Sequence, residues 1–574
     1  MFVSSGSLRF LLLFLLFSSL LHAQSAVNVL TWHNDILRSG DNLNETILTP
    51  ANVNPTQFGK IFSYPVDGMI YAQPLYVHDV VIPGQGTHNV VYVATQNDSV
   101  YAFDADSAKS NPNPLWHVNF TNPPNVVPVP CLDNQKNCNV YPIIGISGTP
   151  VINPRNNTLY VVARTQETSG SEVSYFIQLH ALDITTGAEK PHSPVVICGQ
   201  VSGQVCFFAP YGPDQSTFNP QHEMQRPALL LMPNRASAHE VLYIAFGDLR
   251  GWVFAYDSET RELLAAYCTG PNLHDSKGDN GIWGAGGGTA GDPEGNVYVT
   301  TADGPFDANQ GGSDYGDTLI KLSLTSQASS KSAFFQLGVA DYFTPANYAC
   351  LQAHDLDLSS GSPVVLPRQP GSNAAEILVA GKSNPACNPN GGSINMVNRN
   401  NMGHANGEVQ AVNGSAGGYF ASGAYWQGAN ATYVYYAGAD ATALDRESAG
   451  LGDNLRLYTL KNGMFNPTTS VSQSPETFLN GATPAISANG TQNAILWLVE
   501  RRDRLVTKPG SLPAYLHAYD ATNVATELYN SEMNPLRDTA GAAAKFVVPT
   551  ITNGRVYFGT QTELDVYGLC PCPQ

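Results

Sequence analysis

One pattern recurs along this chain and limits what the chain can fold into. It consists of three short apolar runs separated by turns, as in residues 148–151, 159–162 and 179–183, and the third run of several copies ends Ala-x-Asp. A supersecondary unit that recurs many times along a chain is the signature of a repeat architecture. Because each unit supplies three strands, A, B and C, and room for an outer strand D, the pattern predicts an all-β β-propeller with four-stranded blades.

The number of copies and the two ends of the pattern predict how the ring closes. Eight copies begin near residues 73, 149, 226, 286, 362, 424, 483 and 547. The last copy stops without a D strand, whereas the strand-like run 59–65 precedes the first copy. A strand that completes the last blade would close the ring and remove the sheet edges. We therefore expect an eight-bladed propeller closed by its N-terminal strand, with seven blades as the alternative because the fifth and sixth copies are the weakest.

The first residues are typical of a secretory signal. Arg9 precedes the apolar run 10–21, and a cleavage site lies near Ala23 or Gln24. The alternative is a membrane anchor, but a run of about a dozen apolar residues is short of the ~20 that span a bilayer. A closed repeat array is one domain whatever its length. The sequence thus predicts a signal peptide at 1–24, a single propeller domain at 25–574, and secretion or export to the periplasm.

The charge of the chain narrows the choice of partners. The formal net charge is −18, and only 13% of the residues are charged. Nucleic acids and anionic membranes both require patches of Lys and Arg. We expect neither as a partner, and no later stretch is apolar enough to span a membrane. A protein or a glycan remains as the expected partner, and the chain is expected to be a monomer.

Export also makes disulfides permissible for the nine cysteines. Two pairs bracket short loops and are the favoured disulfides: Cys131 with Cys138, and Cys198 with Cys206. A pair of Cys350 with Cys387 is possible, although the spacing does not support it. The odd total leaves at least one thiol unpaired or used between molecules, and Cys268 is a candidate for it.

The fourth copy contains the best local cluster of chemistry-bearing side chains. Short-spaced aspartates with glycines lie on the segment before its strand C: Asp303, Asp307, Asp314 and Asp317. Carboxylates on such a loop can supply the oxygen ligands of Ca²⁺. The alternative is that Asp and Gly are there because they favour tight turns. The runs 354–357 and 104–106 are weaker candidates of the same kind.

Other motifs have structural interpretations. The stretch 286–291 satisfies G-x-G-x-x-G, but a turn and another strand follow it instead of a helix, so we expect an inner strand near the axis and no dinucleotide. Three isolated histidines are expected to be structural or solvated: His33, His222 and His404. Three tryptophans could line a face and stack on a ring, although packing between blades is favoured: Trp32, Trp283 and Trp426.

The repeats resemble a known family. The run Ala-Leu-Asp-Ile-Thr-Thr-Gly at 181–187 is similar to the propeller repeat of pyrroloquinoline-quinone (PQQ) enzymes, the quinoprotein alcohol dehydrogenase-like superfamily. That family includes dehydrogenases that hold PQQ and Ca²⁺ on the propeller axis, and also non-catalytic members. Longer stretches resemble exported bacterial PQQ-repeat propellers without an established activity: 31–40, 281–283, 314–317, 341–345 and 398–403.

Departures from the catalytic members favour one of the functions that the resemblance implies. Their repeats usually carry a docking tryptophan, and here only Trp116 lies near that place, while 188–191 reads Ala-Glu-Lys-Pro. The chain contains no adjacent Cys-Cys pair and no Cys-x-x-Cys-His haem motif. These departures favour a non-catalytic binding or scaffolding module for a protein or glycan. The alternative is a PQQ- and Ca²⁺-dependent dehydrogenase of alcohols or sugars, and a weaker one is a hydrolase or lyase using carboxylates on the axial face.

Overall fold

The chain folds into a ring of antiparallel sheets. The computed structural model describes residues 27–106, 112–131, 140–211, 216–247, 250–272, 280–328, 333–383, 386–388, 392–415, 420–440, 451–503 and 510–570. The described residues form eight sheets, numbered here in chain order by their strand A. The expected signal peptide at 1–24 lies outside the described residues.

Each of the first four sheets has its strands in the order A, B, C, D. Sheet 1 contains Leu75–Ile82, Gly86–Ala94, Ser99–Asp104 and Trp116–Asn119. Sheet 2 contains Val151–Asn153, Thr158–Ser169, Glu172–Asp183 and Val195–Val201. Sheet 3 contains Leu230–Met232, Val241–Phe246, Trp252–Asp257 and Leu263–Cys268. Sheet 4 contains Ala290–Gly291, Asn296–Thr300, Leu319–Ala328 and Ala333–Thr344.

The last four sheets follow the same order, but the D strand of sheet 8 comes from the beginning of the chain. Sheet 5 contains Val364–Val365, Glu376–Val379, Gly392–Asn398 and Gln410–Ser415. Sheet 6 contains Ala424–Gln427, Thr432–Tyr436, Leu451–Lys461 and Ser472–Phe478. Sheet 7 contains Ala485–Asn489, Gln492–Glu500, Tyr515–Asp520 and Glu527–Asn530. Sheet 8 contains Thr550–Thr552, Arg555–Gly559, Glu563–Leu569 and Phe58–Pro65.

Short elements complete the fold. Six further strands pair with sheets 2, 4, 6 and 7: Val126–Pro130, Ile143–Ile144, His404–Ala405, Ala439–Asp440, Met464–Phe465 and Asp41–Asn42. The described helices are single turns or little more: α-helices Tyr348–Ala353 and Pro535–Asp538, and 3-10 helices Gly284–Gly286, Ala308–Gln310 and Leu358–Ser360. In the described part of the chain no helix is long and apolar enough to cross a membrane.

Continuous apolar strands build the core because each sheet is covered on both faces. Strand B of sheet 3 reads Val-Leu-Tyr-Ile-Ala-Phe and is buried along its whole length. One face packs with sheet 2 and the other with sheet 4, so the run does not alternate with polar residues. Apolar clusters of this kind join every neighbouring pair of sheets, including sheet 8 with sheet 1.

The ring closes as the sequence predicted. Strand Phe58–Pro65 pairs antiparallel with Glu563–Leu569, and Phe58 lies opposite Leu569. The ring of Phe58 packs against Trp497 and Tyr529 of sheet 7, with ring centroids 5.4 and 5.0 Å apart. The N-terminal strand therefore supplies both hydrogen bonds to the last sheet and apolar contacts to the sheet before it.

Residues 27–45, called the axial segment here, fill the channel at the centre of the ring. The segment hydrogen-bonds strand A, or the residue beside it, in all eight sheets, through Tyr76, Ile152, Leu229, Gly291, Val365, Tyr425, Ile486 and Ile551. The Arg38 guanidinium is fully buried and donates to Thr289 O at 2.9 Å and Leu229 O at 3.0 Å. Gly288 lies against Arg38 and Ala228, which agrees with the close backbone approach predicted for 286–291, whereas the inner strand covers only Ala290–Gly291 of that stretch.

A hydroxyl bridges two half-buried carboxylates in this segment. Ser39 Oγ lies 2.8 Å from Asp35 Oδ2 and 2.6 Å from Asp41 Oδ1. Burial raises the pKa of Asp41 to about 7, and the neighbouring charge of Asp35 adds to the rise. Burial likewise raises the pKa of Asp35.

The described cysteines form two disulfides for which both partners are seen. Cys198 is bonded to Cys206, and Cys350 is bonded to Cys387, the pair that spacing had not supported. Cys268 is buried and free. The expected partner of Cys131, Cys138, lies outside the described residues.

Candidate axial binding site

The two ends of the central channel are built differently. The axial segment reaches the turns between strands A and B, where the Glu45 carboxylate accepts the backbone N–H of Gly554 at 3.0 Å. At the other end, the segments that lead into strand A meet one another: Gln73 N donates to Thr149 Oγ1 and Ser422 N to Thr483 Oγ1. We call this second end, with the nearby B-to-C connections, the top face.

A cluster of cations and aromatic rings occupies the axis at the top face. We define the axial cluster as Arg226, Trp283, Phe420, Arg501, Lys545 and Phe546. The Arg226 guanidinium lies 4.0 Å from the ring centroid of Phe546 and 5.3 Å from that of Trp283. Phe420 contacts both rings edge-on, at 5.3 Å from Phe546 and 5.9 Å from Trp283. The rings thus cover a largely desolvated guanidinium, an arrangement that strengthens cation–π attraction.

Two further cations lie beside this core. The ammonium of Lys545 lies 5.9 Å from the Phe546 ring centroid. Burial, and then the positive charges of Arg226 and Arg501, hold the pKa of Lys545 well below its usual value. Burial also lowers the pKa of Arg501, although Asp503, 3.8 Å from its Nε, partly offsets this effect. The positive charge at this end of the channel is therefore concentrated in a small volume.

The backbone holds two of the rings in an unusual conformation. Phe420 and Phe546 have φ values of 54° and 59°, in the left-handed region that non-glycine residues rarely adopt. The backbone N–H of Phe420 donates to Ser360 Oγ at 2.8 Å, which helps to fix it. Strained backbone of this kind costs about 1–3 kcal/mol per residue and is concentrated at binding and active sites.

A narrow crevice opens between this cluster and sheet 7. Its walls are formed by Phe420, residues 480–483, Val499, Arg501 and residues 544–547. The free volume is about 20 Å³, which is room for roughly one water molecule. Pockets for whole small-molecule ligands usually measure about 300–1,000 Å³.

The site does not fit PQQ, the cofactor that the family resemblance implies. A three-ring quinone on the axis needs a slot between flat surfaces, but the crevice described beside the axial cluster has only about 20 Å³ free. Phe420 contacts both Phe546 and Trp283 at the mouth, and these rings lie where such a quinone would have to stack. The arrangement suits recognition of a group that reaches in from above.

Next to the axial cluster lies an acidic group with its own cation. One ligand atom from each of Asp303, Asp355 and Asp357 lies within 4.8 Å of the others. Lys382 Nζ lies 2.5 Å from Asp357 and 4.0 Å from Asp355. Although burial opposes it, the Lys382 charge keeps the pKa of Asp357 below its usual value. A lysine ammonium thus already supplies positive charge to these carboxylates, and the same ammonium lies 5.5 Å from the Trp283 ring.

The four aspartates expected to bind Ca²⁺ divide between two places. Asp303 lies in the acidic group with Asp357. Asp317 is near that group, and burial together with the charge of Asp357 raises the pKa of Asp317 well above its usual value. Asp307 and Asp314 instead stabilise their own loop, where Asp314 N donates to Asp307 Oδ1 at 2.8 Å. The assignment of Ca²⁺ to these four residues stays a prediction.

The remaining candidates from the sequence have mostly structural surroundings. His33 is buried between Arg38 O and Pro484 O, at 2.9 and 2.8 Å, and burial lowers its pKa to about 4. His404 is exposed and stacks on Tyr342, and the backbone N–H of His222 donates to Asn219 O. Two of the three tryptophans, Trp32 and Trp426, are buried, whereas Trp283 is half-buried at the top face.

Sequence reasoning missed the cations and phenylalanines of the axial cluster. Arg226, Phe420 and Phe546 come from different repeats and meet only because the ring brings the starts of strand A together. A usable signal existed in the landmark itself. Arg226 precedes the Pro227 that marks the start of its repeat, and Gln73, Thr149 and Thr483, which precede the equivalent prolines, also make hydrogen bonds at this end of the channel.

Comparisons with known proteins agree with the fold and go no further. Neither a protein-family model nor the sequence of a curated protein matches the chain. A quinohemoprotein alcohol dehydrogenase from Pseudomonas putida HK5 is similar in structure, with a TM-score of 0.57 and 12% identity over 95% of this chain and 81% of that one. Sqt1 from Saccharomyces cerevisiae has a TM-score of 0.42 and 8% identity, over 89% of this chain and 99% of that one. The C-terminal WD40 domain of Sif2 has a TM-score of 0.40 and 8% identity, over 89% and 98%.

These findings define the class of protein. The sheets, their order and the first of these neighbours identify the chain as a β-propeller. At 12% identity the likeness concerns the fold alone. The function therefore has to be argued from the site.

Proposed function

We propose that this chain is an exported, non-catalytic β-propeller that binds a protein or glycan partner on its top face. The observation that carries the proposal is the filled axial mouth, where Phe420 contacts Phe546 and Trp283 and the Arg226 guanidinium lies over these two rings. The crevice beside these groups has only about 20 Å³ free. A cofactor-dependent dehydrogenase needs that place for its quinone. A binding module needs only a fixed, distinctive surface.

The top face has the properties of such a surface. Its loops are carried by a rigid ring of sheets, which is where repeat proteins usually place their binding residues. Phe420 and Phe546 are held in left-handed backbone, so their rings are positioned before a partner arrives. Aromatic rings and arginine together are also the residue types that dominate binding energy at protein interfaces.

Calorimetric titration of the purified chain with PQQ, with and without Ca²⁺, tests the non-catalytic part of the proposal. We expect no binding heat and no change in melting temperature under either condition. Micromolar or tighter binding of PQQ that requires Ca²⁺ would contradict the proposal and support a dehydrogenase of alcohols or sugars.

Glycan and peptide arrays test the binding part. The arrays are probed with the unaltered chain, with Phe546→Ala, and with Phe207→Ala as a matched control, because Phe207 is an exposed phenylalanine of a peripheral loop following strand D of sheet 2. We expect ligands that lose affinity with Phe546→Ala and keep it with Phe207→Ala. Equal loss in both variants, or none in either, would remove the top face from the proposal.

A further inference from the structure

We propose that the crevice beside the axial cluster binds an oxyanion, a carboxylate or phosphate group carried by the partner. This inference rests on the proposed function and names the chemical group that the top face recognises. The crevice is lined by Lys545 and Arg501, and Arg226 lies at its edge against Phe546.

The donors present are those that oxyanions prefer. Guanidinium groups offer several N–H donors in a planar fork, and hydrogen bonds between such donors and an anionic oxygen are about twice as strong as neutral ones. Arg226 and Arg501 are 6% exposed. A charged group bound there would be shielded from water, so the attraction would be stronger than at an open surface.

The electrostatics of the cluster agree with an anionic ligand. Apart from burial, the largest influences on the pKa of Lys545 are the positive charges of Arg226 and Arg501. Asp503 faces Arg501, and the buried Tyr71 lies near both arginines. A bound oxyanion would reverse the repulsion and raise the pKa of Lys545. Binding should therefore take up protons, and the affinity should fall as the pH rises.

The size of the crevice limits what enters it. With about 20 Å³ free, room for roughly one water molecule, it admits one oxygen atom of a terminal carboxylate or phosphate and excludes a sugar ring or a quinone. Phe420 and Phe546 form its rim, so the remainder of the ligand would lie over these rings at the top face. The recognised feature is thus the charged end or side group of a larger partner.

Calorimetric titration of the full chain with inorganic phosphate and with glucuronate tests the inference. It also distinguishes a phosphate ligand from a carboxylate ligand. Neutral glucose serves as the ligand control. We expect one of the two anions to bind and glucose not to bind, with the affinity decreasing from pH 6 to pH 9. Failure of both anions to bind would overturn the inference.

Variants locate the site. Lys545→Met keeps the length of the side chain and removes its charge, and Lys461→Met makes the same change at an exposed lysine at the end of strand C of sheet 6. We expect Lys545→Met to weaken anion binding about tenfold or more, and Lys461→Met to leave it unchanged. Equal affinity for the two variants would overturn the inference. Arg226→Gln is a second variant with the same expected loss, and thermal unfolding shows that each variant is folded.

The two proposals can fail separately. Ca²⁺-dependent PQQ binding would end the proposed function. An array ligand that requires Phe546 but binds Lys545→Met as tightly as the unaltered chain would leave the binding function in place and refute the oxyanion.

Discussion

A buried histidine in sheet 7 should make the stability of the whole ring depend on pH above neutrality. His517 lies between two carboxylates, with Nε2 at 3.2 Å from Glu500 and Nδ1 at 2.8 Å from Glu527. Burial alone would lower the pKa of His517, but the hydrogen bonds to Glu500 and Glu527 outweigh it and raise the pKa to about 9. The folded protein therefore holds this proton more tightly than the unfolded chain does.

The magnitude follows from that shift. A rise from 6.5 to about 9 corresponds to about 3 kcal/mol of stability, at 1.36 kcal/mol per unit. Because the pKa is raised, this contribution is fully present below pH 6.5 and is lost as the pH rises through 9. With an unfolding entropy of about 2.1 cal/mol/K per residue, the loss lowers the melting temperature of a chain of this length by about 3 °C.

Scanning calorimetry between pH 6.5 and 10 provides the measurement. The chain is compared with His517→Gln, and with His239→Gln as a control, because His239 also pairs with a carboxylate, Asp257 at 2.9 Å, but its side chain is 43% exposed. We expect the difference in melting temperature between the chain and His517→Gln to shrink by about 3 °C over this range, and His239→Gln to follow the unaltered chain. The same pH dependence in the chain and His517→Gln would refute the reasoning.

Three further changes test the axial segment and one disulfide. Arg38→Met removes the donors to Thr289 O and Leu229 O and should lower the free energy of unfolding by about 3 kcal/mol, measured in urea; a loss below about 1 kcal/mol would contradict the buried network. Asp41 has its pKa raised to about 7, so its contribution to stability should decline as the pH rises from about 4 to 7; Asp41→Asn should flatten that decline, and an unchanged calorimetric profile would contradict it. Replacing both Cys198 and Cys206 by Ser removes their disulfide and should lower the free energy of unfolding, measured in urea, by about 2–3 kcal/mol. Reductant cannot break this disulfide in that variant, so it should cause no further loss there.

The fold was readable from the sequence because its information is local and repeated. Strand B of sheet 3, a continuous apolar run between turns, predicts a strand buried on both faces, and a similar signal returns in the other copies, most weakly in the fifth and sixth. Closure of the ring could be inferred as well, because the last copy lacks a D strand and the unassigned strand at 59–65 can supply it. Both inferences need only the order of strands along the chain.

The candidate site could not be predicted in the same way because its residues come from different repeats. Trp283 was assigned to packing, as Trp32 and Trp426 are, since an indole ring is equally apolar in either place; only the neighbouring Arg226 and Lys382 distinguish it. The aspartates of the fourth copy gave a similar ambiguity, because the lysine that faces Asp357 lies in the next repeat.

The axial segment also affects when the ring can be completed during synthesis of the chain. Asn42 hydrogen-bonds Ile551, which lies 509 residues further along the chain. At about 5–20 residues per second, a ribosome needs roughly 25 to 100 s between these two residues. During that interval Trp32 and strand Phe58–Pro65 exist without the last sheet that covers them. The ring can therefore be completed only after synthesis is nearly finished, and any factor that accompanies the nascent chain would have these early apolar residues to shield.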